Sequence, residues 1–115
     1  MQSCAAGRQP WRPDNDVTMV TRYSVGDTAV AQTEATRAKA MWIKAGARDF
    51  RGVQMFTGPF QGEWIFYIDF DDLAHLQKCR DAVLKADDFK TIAANNAKAG
   101  NKQTARDIMI GLDLA

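Results

Sequence analysis

The sequence predicts an α+β fold of ferredoxin-like kind: a four-stranded antiparallel sheet with helices on one face, in the order β-α-β-β-α-β. Three observations lead there. Segments of period-two alternation and segments of helical period follow one another in that order. The two middle strand segments are joined by Gly58-Pro59 and Gln61-Gly62, a hairpin signal with no room for a helix. The chain has 115 residues, 46% of them hydrophobic, which suits one core without disulfide or metal staples.

Residues 1–16 read as a flexible N-terminal tail and 17–115 as the single folded domain. Gly7, Pro10, Pro13, Asp14, Asn15 and Asp16 are turn formers without apolar period, and Trp11 is the exception among them. The first strand is expected over 17–25, with Val17, Met19, Thr21, Tyr23 and Val25 on one face and Thr18, Val20, Arg22 and Ser24 on the other. Gly26-Asp27 breaks it, and Asp27 is placed to cap a helix over 28–45. Ala31, Ala35, Ala38, Trp42 and Ala45 make one helical face, small enough either for close approach to a sheet or for a ligand. Gly46 is placed to end this helix.

The second strand is expected over 49–57 and the third over 63–70. Trp64, Phe66, Ile68 and Phe70 share one face of the third strand, and Ile65 and Tyr67 the other. Asp71-Asp72 caps the second helix, carried by Leu73, Leu76 and Val83. Asp87-Asp88 looks like a second N-cap, so this helix is expected to break near Ala86 and run on through Phe89 and Ile92 to Gly100. Ile108, Ile110 and Leu112 alternate in a last strand over 104–112.

Fifteen basic and fourteen acidic residues, mixed along the chain, leave a net charge of +1, which argues against a nucleic-acid partner. No run of about 18 apolar residues is present, so no membrane span is expected. Cys4 and Cys79 form no framework, and with the single His75 they make no zinc set. Two free thiols fit a cytoplasmic protein. Cys4 follows neither a basic nor an apolar stretch, so a lipoprotein signal is not expected. Helices can cover one sheet face only, yet the third strand is apolar on both. The uncovered face is therefore expected to bind a second copy of the chain.

The stretches 45–56 (Ala45-Gly46-Ala47-Arg48 to Phe56) and 62–73 (Gly62-Glu63-Trp64 to Asp72-Leu73), with Ala86-Asp87-Asp88-Phe89, resemble the dimeric α/β-barrel superfamily. The antibiotic-biosynthesis-monooxygenase-like and NIPSNAP-like members are the nearest in kind. The resemblance covers roughly 17–114 and implies two ferredoxin-like subunits packed sheet to sheet as a dimeric α/β barrel. It places substrates, or haem, between each sheet and its own helices. Haem-degrading members carry an asparagine in the first strand and a tryptophan and histidine in the second helical region. Here the first strand reads Thr21-Arg22, residues 73–99 hold no tryptophan, and His75 opens that region. No cofactor is therefore expected.

The candidate catalytic residues are His75, Arg22 and Tyr67. Histidine is the side-chain type whose charge ordinarily changes near pH 7, and His75 is the single one in the chain, although a helix-surface histidine would look the same. Arg22 could hold a carboxylate or enolate, and Tyr67 offers a hydroxyl. The candidate ligand-binding residues are Trp42, Tyr23, Ala35 and Ala38, in a pocket between helix and sheet; the other reading of these aromatics is core and dimer interface. Asp69, Asp71 and Asp72 could attract a hard cation or simply cap the helix, and no metal site is expected. Asn95, Asn96 and Arg106 could orient a ligand or serve as caps and solvated surface. Two functions stay open: a homodimer binding a small apolar or aromatic molecule, or a cofactor-independent monooxygenase-like enzyme acting on a small aromatic or polyketide-like substrate. Polar groups converging on a cavity would favour the second; a tightly filled Ala31-Ala35-Ala38 face would favour a non-catalytic dimer with a purely structural role.

Overall fold

The computed structural model describes residues 16–112. All but the last residue of the expected tail, with Cys4 and Trp11, lies outside them. The elements are β1 (Val17–Ser24), α1 (Thr28–Lys44), β2 (Asp49–Gln54), β3 (Trp64–Phe70), α2 (Leu73–Lys85), α3 (Asp87–Lys98) and β4 (Lys102–Ile110). The sheet is antiparallel in the order β2-β3-β1-β4, so the chain has the expected ferredoxin-like α+β fold. The second helical region is two helices, because the backbone turns extended at Ala86.

Local chemistry places the boundaries. Asp27 accepts the Val30 N–H at 3.0 Å and starts α1. Asp72 accepts the His75 N–H at 2.7 Å and starts α2. Gly46 and Gly100 follow the ends of α1 and α3 with φ of 111° and 75°, a region that favours glycine. Asp87 and Asp88 are not caps: they sit inside the first turn of α3, and the cap position is Ala86, with no side-chain bond. They still suit the positive end of the helix dipole. β2 is shorter than expected because the chain turns at Gly58-Pro59, although the Met55 N–H still reaches Glu63 O at 2.8 Å.

The core lies between helices and sheet: Met19, Met41, Trp42, Phe50, Ile68, Phe70, Leu76, Val83 and Ile92. α1 packs chiefly on α3 and on β2. Cys79 is buried in this core as a free thiol, and burial pushes its pKa up.

The helix-free sheet face is not the apolar plate that the sequence suggested. Its apolar middle, Val20 and Ile65, is buried within the chain. Around it run polar side chains. Thr18 Oγ1 donates to Asp69 Oδ1 at 2.7 Å, and Arg51 Nη2 lies 3.2 Å from Asp69 Oδ2 and 5.3 Å (Cζ) from the Tyr67 ring centre. The Arg22 guanidinium stands 4.7 Å over the Phe60 ring. Val53 and Met109 remain nearly half exposed there, at 46% and 47%.

Candidate functional site

Strand alternation sends Thr21 and Tyr23 of β1, Arg106 of β4, and Trp64, Phe66 and Ile68 of β3 toward the helices, since Thr21 pairs with both Phe66 and Arg106. Above them, α1 presents Ala31, Glu34, Ala35, Ala38 and Trp42, and α3 presents Ile92 and Asn96. Alanines fill little volume, and a cavity of ≈ 70 Å³ is left between the layers. That admits a few waters, whereas ligand pockets run to about 300–1,000 Å³. A second, more open groove of ≈ 570 Å³ lies between α1 and β2, and Ala35, Phe50, Trp64 and Phe66 line both spaces. Phe66 is the centre of this wall, 5.6 Å from Phe50, 5.9 Å from Tyr23 and 6.4 Å from Trp64, ring centre to ring centre. Gly52 gives it a seat: a Cβ there would meet the Phe66 ring at 3.0 Å.

The polar atoms of the cavity come from both layers. Arg106 Nε donates to Thr21 Oγ1 at 3.1 Å, which fixes the guanidinium over β1. Burial holds the Arg106 pKa below its usual value, partly offset by Tyr23. Burial also pushes the Tyr23 phenol up, with the Arg106 charge opposing. Tyr23 is thus a neutral hydroxyl at physiological pH. On the helix side, Glu34 is 3% exposed and takes a hydrogen bond from Asn95 Nδ2 at 3.2 Å. Asn101 Nδ2 donates to Asn96 Oδ1 at 3.1 Å.

The expected ligand residues Tyr23, Ala35, Ala38 and Trp42 therefore do come together around one space. The catalytic candidates do not join them. Arg22 and Tyr67 occupy the other parity of β1 and β3 and point to the helix-free face. His75 braces the chain instead. Its Nδ1 accepts the Asp71 N–H at 2.9 Å, so its Nε2 carries the proton donated to Gly46 O at 2.9 Å. Both ring nitrogens are engaged. The acidic group is likewise used: Asp69 by Thr18 and Arg51, Asp71 by Arg48 at 3.3 Å, and Asp72 as the cap. No group of three or more His, Cys, Asp or Glu suited to a metal ion occurs among the described residues.

Arg106 stands where it could orient a ligand, as one of its two readings has it, and Glu34 is a cavity residue that was not among the candidates. The signal for Glu34 was there: a charge falls on the stripe of Ala31, Ala35, Ala38 and Trp42, at the spacing where the helix is otherwise apolar.

No protein-family model matches the sequence, and no curated protein matches it either. Solved structures do. SnoaB, a cofactor-independent oxygenase from Streptomyces nogalater, superposes with a TM-score of 0.62 at 15% identity, covering 86% of this chain and 95% of its own. A dimeric ferredoxin-like protein from Thermobifida fusca gives 0.57 at 11% identity, over 91% and 98%. An ethyl tert-butyl ether (EthD) family protein from Bacillus halodurans gives 0.55 at 16%, over 85% and 99%. The likeness is one of fold. This chain has the ferredoxin-like fold that these solved structures share.

Proposed function

We propose that this protein is a homodimer that binds a small aromatic molecule between its sheet and its helices. The observation that carries this reading is the convergence of Arg106, Tyr23, Thr21 and Glu34 on a space walled by Trp42, Phe50, Trp64 and Phe66. Buried polar groups cost stability unless they meet partners, so a fold that only had to pack would fill this space with apolar side chains. A flat molecule would enter from the groove beside β2 by displacing Phe66 and Trp64, joining the two spaces. Titration with 2-naphthol, followed by tryptophan fluorescence, tests the reading. Saturable quenching is expected, and its absence up to millimolar probe would end it.

The same convergence favours a second reading, a cofactor-independent oxygenase. In such a reaction an electron-rich aromatic oxyanion itself reduces dioxygen. The chain's part would be to hold that anion: Arg106, fixed by Thr21 before the substrate arrives, supplies charge, and Tyr23 a hydrogen bond. Dissolved oxygen should then fall when hydroxylated aromatics are added, and the fall should be lost in Arg106→Met. Homodimerisation is proposed through the helix-free face, where Val53 and Met109 remain exposed.

A further inference from the structure

We propose that Glu34 is the proton acceptor of this cavity, and that the molecule it serves is a vinylogous acid, a phenol or enol conjugated to a carbonyl. This rests on the reading that the cavity binds a small aromatic molecule. Glu34 sits in the first half of α1 on the face turned to α3 and the sheet, and it is almost wholly buried. A carboxylate in that position is costly unless its oxygens are matched. One is: Oε2 accepts the Asn95 amide at 3.2 Å. The other, Oε1, has no hydrogen bond, and its nearest cation is Arg37 Nε at 3.5 Å, on a side chain that is 41% exposed. The exposed arginine balances charge from outside. It leaves Oε1 with unused acceptor capacity on a residue that lines the cavity.

The opposite wall has the opposite preference. On the sheet, Arg106 can only donate, and the protonated Tyr23 hydroxyl has a hydrogen to donate as well. A molecule matching both walls gives up a proton on the helix side and receives hydrogen bonds on the sheet side. In a hydroxyl conjugated to a carbonyl those two needs are one event. The proton moves from the hydroxyl to Glu34 Oε1, and the electron pair left on that oxygen spreads through the ring to the carbonyl oxygen facing Arg106. Nothing is oxidised in this step. A simple phenol leaves the sheet-side donors unmatched, and a ketone without the hydroxyl leaves Oε1 unmatched. Glu34 also lines the groove between α1 and α3 with Asn95 and Lys98, which gives the proton a path to water.

The test uses two probes on the full chain, 4-hydroxyacetophenone and its methyl ether 4-methoxyacetophenone. Affinity is read from tryptophan fluorescence and ionisation from the red-shifted phenolate absorption. The hydroxyl probe should bind roughly 10- to 100-fold more tightly than the ether, the range for a hydrogen bond to a charged group. It should absorb as phenolate when bound at a pH where the free probe is neutral. Glu34→Gln should lose both the preference and the phenolate band, so that its affinities for the two probes become equal. The comparison within the wild type needs no variant, so poor folding of Glu34→Gln cannot mask a failure. Equal binding of the two probes to the wild type overturns the role of Glu34 and leaves the cavity reading standing. So does a phenolate band that survives in folded Glu34→Gln. If the wild type binds neither probe, both readings fall.

Discussion

Asn101 Oδ1 accepts the backbone N–H of Asp27 at 2.9 Å, across 74 residues of chain. The same oxygen takes the Gly26 N–H at 2.8 Å, and Nδ2 returns toward Asp27 O at 3.4 Å. One buried amide thus ties the β1–α1 turn to the α3–β4 junction and closes one end of the cavity it lines. The approach is close enough that a Cβ on Gly26 would stand 2.8 Å from Ala99 O and Gly100 O.

Asn101→Ala should therefore lower stability by about 1–3 kcal/mol, because it removes the acceptor shared by the Gly26 and Asp27 N–H groups. Urea unfolding reads the loss as a lower midpoint at unchanged slope. Gly26→Ala should be no milder, since backbone must shift to admit the methyl group.

Ala35 borders both the enclosed cavity and the groove beside β2. Ala35→Leu grows into open space, so its cost should stay below the roughly 1–3 kcal/mol of overpacking a filled core. The same variant should abolish fluorescence quenching by 2-naphthol. A marked fall in melting temperature would show that the space closes in solution.

Tyr23 gives a pH signature. Burial raises its folded pKa above the ordinary value of 10.0, so above that pH the unfolded chain loses the proton first. Stability should be intact below about pH 10 and decline as pH climbs from there through the folded value. Tyr23→Phe should remove that decline. Tyrosinate absorbance in a Tyr67→Phe background, which leaves one tyrosine, should titrate late in the wild type and later still in Arg106→Met.

His75 should matter for folding and not for binding. His75→Ala removes the acceptor for the Asp71 N–H and the donor to Gly46 O, which should cost about 1–2 kcal/mol. Naphthol affinity should be unchanged. Haemin should give no Soret shift that depends on His75, because both ring nitrogens are already bonded within the chain.

Sedimentation at micromolar concentration should show about twice the chain mass of 12.8 kDa. Val53→Asp places a charge on the exposed edge of the helix-free face and should shift the protein to monomer without unfolding it. A wild-type monomer would remove that interface from the account.

The sequence by itself determined what depends on neighbours a few residues apart. Asp27 and Asp72 cap their helices because a carboxylate reaches an N–H three residues on, and Gly46 and Gly100 end helices because only glycine takes that turn cheaply. Alternation assigned Tyr23 to the core side of β1, and the same parity separates it from Arg22 and separates Tyr67 from Phe66. Asp87 and Asp88 misled because an aspartate inside a first turn and one at a cap look alike in a string.

Tertiary structure alone decided the site. Arg106 meets Thr21 only because β4 pairs with β1 at one register, 85 residues away in sequence, and local periodicity carries nothing about register between distant strands. Glu34 became a cavity wall when α3 brought Asn95 and Ile92 alongside α1. His75 changed from a candidate base to a brace when the end of α1 placed Gly46 O against its ring. Each outcome depends on which groups share a low-dielectric space after folding. That is set by how layers pack, and packing joins residues that the chain keeps far apart.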